Sequence, residues 1–313
     1  MIKIDRFNSC SRRSLTLLIY QIINGSRTVT GSADLTKYDR AYTVATQSRW
    51  SLITTYTITA VRGTASGATL TAEKRCSSQT GNGCKVVETS GSGGSVTPGR
   101  AYTFETIYEY PSPPAGTVDK SFASHIVIAK YQTAVASEFD DRLPDARGSG
   151  YIRCDNALPG RGAGCVVYGT TPYIEYSNAK LPEFVAHIVQ AQASGLPSIL
   201  SRTTDTALST ANGAKACPSS WPRPQTPYVK SCDEYPLRST QQGAATVSGG
   251  KGPARTFPGC EVPLPTGLSA SFGYSACMIR ASENSTAGSA LLSVLYNPHR
   301  IINGDSFEVR TAP

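Results

Sequence analysis

The chain of 313 residues lacks several features that would place it quickly in a class of protein. It has no run of 18 apolar residues, so no membrane span is predicted. None of its nine cysteines forms a Cys-x-x-Cys pair, which argues against a zinc ribbon or a thioredoxin-type site. Charged residues make up only 17% of the chain, and no Lys/Arg run exceeds two residues. The net charge of +8 is therefore compatible with a polyanionic partner without requiring one.

What the chain has instead is Ser, Thr and Gly, together with 39% hydrophobic residues. This composition can bury a core and is typical of secreted β-rich proteins. The length favours two domains. We interpret residues 1–40 as an N-terminal arm, 41–135 as an all-β sandwich-like domain, 136–150 as an acidic and Gly-rich linker, and 151–313 as a second domain.

The cysteines favour an oxidising compartment. Eight of them fall into sequence-adjacent pairs, so the simplest prediction is four short-range disulfides, 76–84, 154–165, 217–232 and 260–277, with Cys10 left over. Sequence alone does not fix this connectivity. The apolar stretch after Arg12 and Arg13 is too short for a signal peptide, so we expect export without an indicated route.

Within the second domain, the patterns predict few regular elements. Short strands are expected at 164–168, 172–176 and 271–280. A helix is expected from Pro182 to Gly195, and a second at 287–296 with Asn284 or Ser285 as its cap. Residues 198–229 are interpreted mostly as loop, and residues 301–309 as a closing β-hairpin.

The most informative segment carries two adjacent acids, Asp233 and Glu234, between Cys232 and the pair Tyr235-Pro236. Proline fixes its own φ and favours an extended residue before it, so these acids lie on a stiffened backbone that could hold a hard cation. A solvated turn that happens to carry two acids is the simpler alternative.

Two more side chains complete a possible set. His187 lies at the edge of the apolar stripe of the first helix, and Glu183, one turn earlier, could orient its imidazole. Asn284 could be a helix cap only. An imidazole, two carboxylates and an amide are nevertheless the groups of a one-metal phosphodiesterase site, which uses Mg²⁺ or Mn²⁺.

The sequence also resembles a known family. Cys232-Asp233-Glu234-Tyr235-Pro236, followed by Gly243, is similar to the Asp-Glu-Tyr/Trp-Pro signature of the NucA/NucB secreted deoxyribonucleases. Further similar stretches lie at 181–197, 283–289 and 300–309, in the order of that family. Relatives commonly have Phe-Ala after the proline, where this chain has Leu237-Arg238.

The resemblance implies a small α+β nuclease domain and assigns roles to its residues. Asp233 would be the main metal ligand, Glu234 would complete the metal shell, and Asn284 would bind the metal or orient a ligand. His187 would be the general base or would position the attacking water. Arg238 could contact a substrate phosphate or disturb the site, and Arg280 is a further candidate for phosphate contact.

We therefore predict a secreted bacterial endodeoxyribonuclease that depends on a divalent metal and cuts DNA with little sequence preference. The N-terminal β-domain would serve as a structural or interaction module for a protein or surface partner. Two alternatives stay open. One is a non-catalytic structural or adhesive protein with a degenerate nuclease domain, and the other is a nuclease toxin delivered to competing cells.

Overall fold

The computed structural model describes residues 3–81, 85–111, 113–132, 134–137, 152–246 and 252–313. The chain forms two compact units, residues 1–170 and residues 171–313. No helix in the described part of the chain is long and apolar enough to cross a membrane.

The first unit is built on a sheet of long antiparallel strands. Alternating side chains favour this arrangement, because every second residue is buried over residues 31–43 and 50–58 of the two central strands. In the described residues the order along the sheet is β1-β2-β3-β4-β8-β6. The strands are β1 (Lys3–Ile4), β2 (Asn8–Ile23), β3 (Ser26–Thr43), β4 (Arg49–Gly63), β6 (Lys85–Ser90) and β8 (Ala101–Glu109).

A second sheet packs on the first. It runs β12-β11-β9-β5-β7, with β10 paired to β9. Two hydrophobic clusters of the described residues join the sheets, one of them through residues such as Leu35, Ile58, Leu70 and Val127. The prediction of a β-rich N-terminal region is confirmed. The strands are β5 (Thr69–Ser78), β7 (Gly94–Ser95), β9 (Val118–Tyr131), β10 (Ala134–Ser137), β11 (Ile152–Asp155) and β12 (Gly164–Val167).

Two boundaries differ from the expectation. Residues 1–40 are not an arm, because β2 and β3 pair along almost their whole length. The second unit begins at residue 171, not 151, since β11 pairs antiparallel with β9 of the first unit. This pairing joins residues that are distant in sequence, which local patterns do not reveal. Most of the predicted linker lies outside the described residues.

The second unit has three helices and two small sheets in the described residues. One sheet has the order β13-β18-β14 and the other β15-β17-β16. The helices are α1 (Pro182–Ala193), α2 (Thr206–Ala216) and α3 (Ala281–Ala290), and a π-helical segment, Leu291–Tyr296, continues α3. The strands are β13 (Tyr173–Ser177), β14 (Ile199–Ser201), β15 (Lys230–Tyr235), β16 (Ala254–Arg255), β17 (Tyr274–Arg280) and β18 (Ser306–Ala312).

Three local predictions for this unit were wrong. The chain end is no hairpin, because β18 pairs with β13 and β14 instead. The last helix begins at Ala281, so Asn284 lies inside it and is not its cap. Residues 206–216, which lie in a stretch interpreted mostly as loop, form α2. Asp205 caps this helix by accepting from the backbone N–H groups of Ala207 and Leu208.

Three predicted disulfides are present. Cys154–Cys165 joins directly opposed residues of β11 and β12. Cys217–Cys232 ties the end of α2 to β15, and Cys260–Cys277 anchors the segment after β16 to β17. The predicted 76–84 pair includes Cys84, which lies outside the described residues.

Candidate active site

The acid pair lies in a strand. Asp233 and Glu234 belong to β15, which pairs antiparallel with β17, and this replaces the expected turn. Asp233 lies opposite Cys277, and Glu234 lies opposite Ala276. The disulfides Cys217–Cys232 and Cys260–Cys277 therefore hold the backbone next to Asp233 in sequence and across the sheet.

Asp233 and Glu234 use different faces of the strand, because successive side chains of a strand point in opposite directions. Helix α1 covers the face that carries Asp233. The Oδ2 atom of Asp233 lies 2.6 Å from Nδ1 of His187 on this helix. The other ring nitrogen, Nε2, lies 2.9 Å from the hydroxyl of Ser275 on β17. His187 is 1% exposed, so it is a buried support of Asp233.

Two expectations about His187 change with this geometry. Glu183 does not orient the imidazole: its carboxylate accepts from Tyr228 and from the backbone N–H and Nε of Arg280. Both ring nitrogens of His187 are within hydrogen-bond distance of protein groups. Neither nitrogen is therefore available to accept a proton from an attacking water. The geometry thus favours a positioning role for His187 over the role of general base.

Glu234 lies on the face that carries Cys232. Its Oε2 atom is 3.6 Å from Sγ of Cys217 in the disulfide. Burial is the main cause that raises the pKa of Glu234 to about 7, and the negative charge of Asp233 adds to it. Arg238 lowers this pKa in part, by its charge and by its backbone N–H.

The first turn of α3 fixes the third side chain of the set. Asn284 donates through Nδ2 to the hydroxyl of Ser231 and to the carbonyl oxygen of Cys232, each at 3.0 Å. A carbonyl only accepts, so the nitrogen faces β15 and the amide oxygen points away from the strand. The neighbouring Glu283 accepts from the backbone N–H groups of Glu183 and Phe184 at the start of α1. One helical turn therefore holds both α1 and β15 in place.

These groups meet at a pocket of about 360 Å³. Asp233, Glu234 and Asn284 line it, and His187 lies behind Asp233. The remaining lining residues are Tyr176, Phe184, Arg202, Thr203, Ser209, Leu237, Arg238, Ser239, Ala287, Gly288, Leu291, Leu292 and Tyr296.

The donor set fits a hard cation. Two carboxylates and an amide oxygen are the oxygen ligands that Mg²⁺ prefers, and Mg²⁺ commonly takes only one or two carboxylates from a protein. Within the ranges that the structure describes, no group of three or more His, Cys, Asp or Glu side chains is placed to hold a metal ion. A cation here would therefore take two carboxylates and one amide from the protein, and not a closed protein cage.

The two arginines predicted to contact phosphate have different positions. Arg238 is exposed and lines the pocket. Arg280 does not line it: its guanidinium binds Glu183 and lies 4.2 Å from the ring centroid of Tyr228. Arg202, which was not predicted from the sequence, lines the pocket directly after β14. A lone arginine in a predicted loop gives no signal of such a position.

The loop after the acid pair is held from inside by Asn212 of α2, which is fully buried. Its side chain donates to the carbonyl oxygens of Arg238 and Thr240 and accepts from the backbone N–H of Ala245. Gly243 lies so close that a Cβ there would be 2.3 Å from Nδ2 of Asn212. This close approach explains the glycine that follows the Asp-Glu-Tyr-Pro segment.

A comparison with known protein families gives a match over this part of the chain. Residues 191–310 match the family described as deoxyribonuclease NucA/NucB, which supports this family for the C-terminal half. The matched range includes Asp233, Glu234 and Asn284, whereas His187 precedes it. No match was found among curated proteins.

Proposed function

On the premise of that family match, we propose that the chain is a secreted, metal-dependent endodeoxyribonuclease that cuts DNA with little sequence preference. The observation that carries the proposal is the meeting of Asp233, Glu234 and Asn284 at one pocket, with Asp233 held by a buried histidine. Three disulfides in the described residues fit an extracellular location.

Asp233 and Asn284 would supply oxygen ligands of a Mg²⁺ or Mn²⁺ ion, and Glu234 would complete the metal shell through a water molecule. Such an ion, when bound, stabilises the negative charge that develops on the phosphate and favours ionisation of water. His187 holds the Asp233 carboxylate in one orientation through a bond of 2.6 Å. Such a support commonly changes activity by about 10- to 100-fold when it is removed.

Glu234 is the more exposed of the two acids, since Asp233 is only 4% exposed. Glu234 also has no buried histidine as a partner among the described residues. We therefore assign Glu234 the role of accepting the proton of the attacking water. Arg238 at the pocket wall would contribute a contact to the phosphate.

Neither of the two alternative functions is favoured by a specific observation. A degenerate, non-catalytic domain would not need the acids, the amide and the buried histidine in one cluster. The toxin hypothesis depends on delivery and on an inhibitor, and no specific contact in the structure favours it.

The test is nicking of a supercoiled plasmid by the full chain in EDTA, in Mg²⁺ and in Mn²⁺. We expect nicking only with metal. In Asn284→Ala, we expect the metal concentration that gives half the maximal rate to rise about tenfold. A wild-type chain that does not nick with either metal, or that nicks equally in EDTA, would overturn the proposal.

A further inference from the structure

Arg202 is a half-buried cation in the wall of the same pocket, and among the described residues it forms no ion pair with a carboxylate. Its Nη1 donates to the carbonyl oxygen of Ile301, and its Nε is buried with no hydrogen-bond partner among the described residues. Burial lowers the pKa of Arg202, while Tyr296 and Asp305 act in the opposite direction. The Asp305 carboxylate itself accepts from the backbone N–H of Ile302.

The arginine is rigidly placed before any ligand arrives. Its backbone N–H donates to the carbonyl of Asp305, its carbonyl accepts from Gly304, and it bridges to Thr240. The guanidinium carbon lies 4.3 Å from the ring centroid of Tyr296. The hydroxyl of Tyr296 is 3.0 Å from that of Ser239, another pocket residue. Little side-chain freedom is left for a ligand to remove.

A fixed, poorly solvated guanidinium with an unused donor is unfavourable unless an anion completes it. The acids of the pocket do not do so, because neither Asp233 nor Glu234 forms an ion pair with Arg202 in the described structure. The planar guanidinium matches the oxygens of a phosphate, with two donors side by side. The hydroxyls of Thr203, Ser209 and Ser239 line the same pocket and suit the same anion.

We propose that Arg202 is a further catalytic residue, whose guanidinium binds the scissile phosphate of DNA in this pocket. The inference rests on the proposed nuclease function. It adds a second anchor for the substrate: Arg202 would bind an oxygen of the phosphodiester, in addition to the metal ion that the acid pair would hold.

The kinetic test compares Arg202→Gln, Arg202→Lys and the control Arg310→Gln with wild type in plasmid nicking. Arg310 has the same charge and lies in the same unit, but it pairs with Glu308 outside the pocket. We expect Arg202→Gln to lower kcat/KM about 100-fold or more, because one donor to the developing charge is lost. Arg202→Lys should recover only part of the rate, and Arg310→Gln should stay within about twofold of wild type.

The binding test uses a labelled DNA duplex in EDTA, so that no cleavage is needed. Wild type and Arg202→Lys should share one slope of log affinity against log salt, and Arg202→Gln should have a slope smaller by about one. Thermal melting of each variant shows whether it is folded, and the lysine variant keeps the charge if glutamine is not tolerated.

The outcomes separate the two proposals. A wild type that binds DNA but never nicks it overturns the nuclease function, while a reduced salt slope in Arg202→Gln still supports phosphate binding. A nicking wild type together with Arg202→Gln at the wild-type rate and slope overturns the role of Arg202. Full nicking activity in Arg202→Lys would overturn the requirement for a planar guanidinium.

Discussion

Each of the two units buries a histidine whose ring nitrogens both contact side chains, and the partners differ. In the first unit, His125 lies 2.8 Å from the hydroxyls of both Thr54 and Thr106. In the second unit, His187 lies between the Asp233 carboxylate and a serine hydroxyl. A histidine between two threonines completes the hydrogen bonds of polar groups inside a buried sheet. A histidine that holds a pocket carboxylate can instead orient a reactive group. Burial alone therefore does not distinguish support of a fold from support of a site.

The network around His125 shows how the first unit uses polar groups. Thr54 donates in turn to Asp39 at 2.6 Å, and the His125 carbonyl accepts from Lys37 and Tyr56. These groups lie inside the two-sheet unit and are almost fully buried. Fully bonded polar networks of this kind favour one arrangement of strands, since each broken bond leaves a buried group without a partner.

Replacing each histidine in turn should give the largest difference between the two units. His187→Gln should lower the rate of plasmid nicking about 10- to 100-fold, because Asp233 loses its fixed orientation. His125→Gln should leave nicking at the wild-type rate and lower the thermal stability of the first unit. Equal nicking by both variants would contradict the difference that we draw between the two networks.

The disulfides offer a second contrast. Removal of Cys217–Cys232 or Cys154–Cys165 by double Ala substitution should cost roughly 3 kcal/mol of stability in each case. Only loss of Cys217–Cys232 should also lower nicking, by about tenfold or more, because Cys232 precedes Asp233 and Glu234 packs on the disulfide. Urea unfolding and nicking rates measure the two effects, and reduced nicking without Cys154–Cys165 would argue against this account.

Acid should destabilise the first unit through His125. Burial, with Lys37 and Lys74 as further causes, lowers the pKa of His125 to about 4. Between the ordinary pKa of about 6.5 and pH 4 the unfolded chain binds a proton that the folded chain does not, so stability falls by up to about 3 kcal/mol.

The measurement is urea unfolding at pH 7 and pH 4.5, followed by Trp50 fluorescence in a Trp221→Phe background. Trp50 lies in the first unit, and this choice matters because the raised pKa of Glu234 acts with the opposite sign in the second unit. His125→Gln should lose most of the pH dependence. An unchanged pH dependence in that variant would rule out His125 as its cause.

Local signals in the sequence predicted a good part of the second unit. Pro182 and an apolar stripe identified α1, and the apolar run before Arg280 identified β17. The spacing of the cysteines predicted three disulfides that the structure contains. These features depend on residues that are close in sequence, which is why patterns reveal them.

What the sequence did not reveal depends on contacts between distant residues. The pairing of β11 with β9 set the boundary between the units, and the contacts of the buried His187 with Asp233 and Ser275 join three separate elements. Helix α2 is rich in Thr, Ser, Ala and Gly and carries only a weak apolar stripe, although Asp205 is a recognisable cap. Arg202 reaches the pocket because β14 pairs with β18 at the far end of the chain.

The central claim is that the pocket around Asp233 cuts DNA, and its most direct test is the initial rate of plasmid nicking by Asp233→Ala. The control is Glu175→Ala, an exposed acid on β13 outside the pocket. We expect Asp233→Ala to lose about 1000-fold or more of the metal-dependent rate, since it removes a reacting-centre ligand together with the partner of His187. Glu175→Ala should nick like the wild type. Equal rates for Asp233→Ala and wild type would contradict the account.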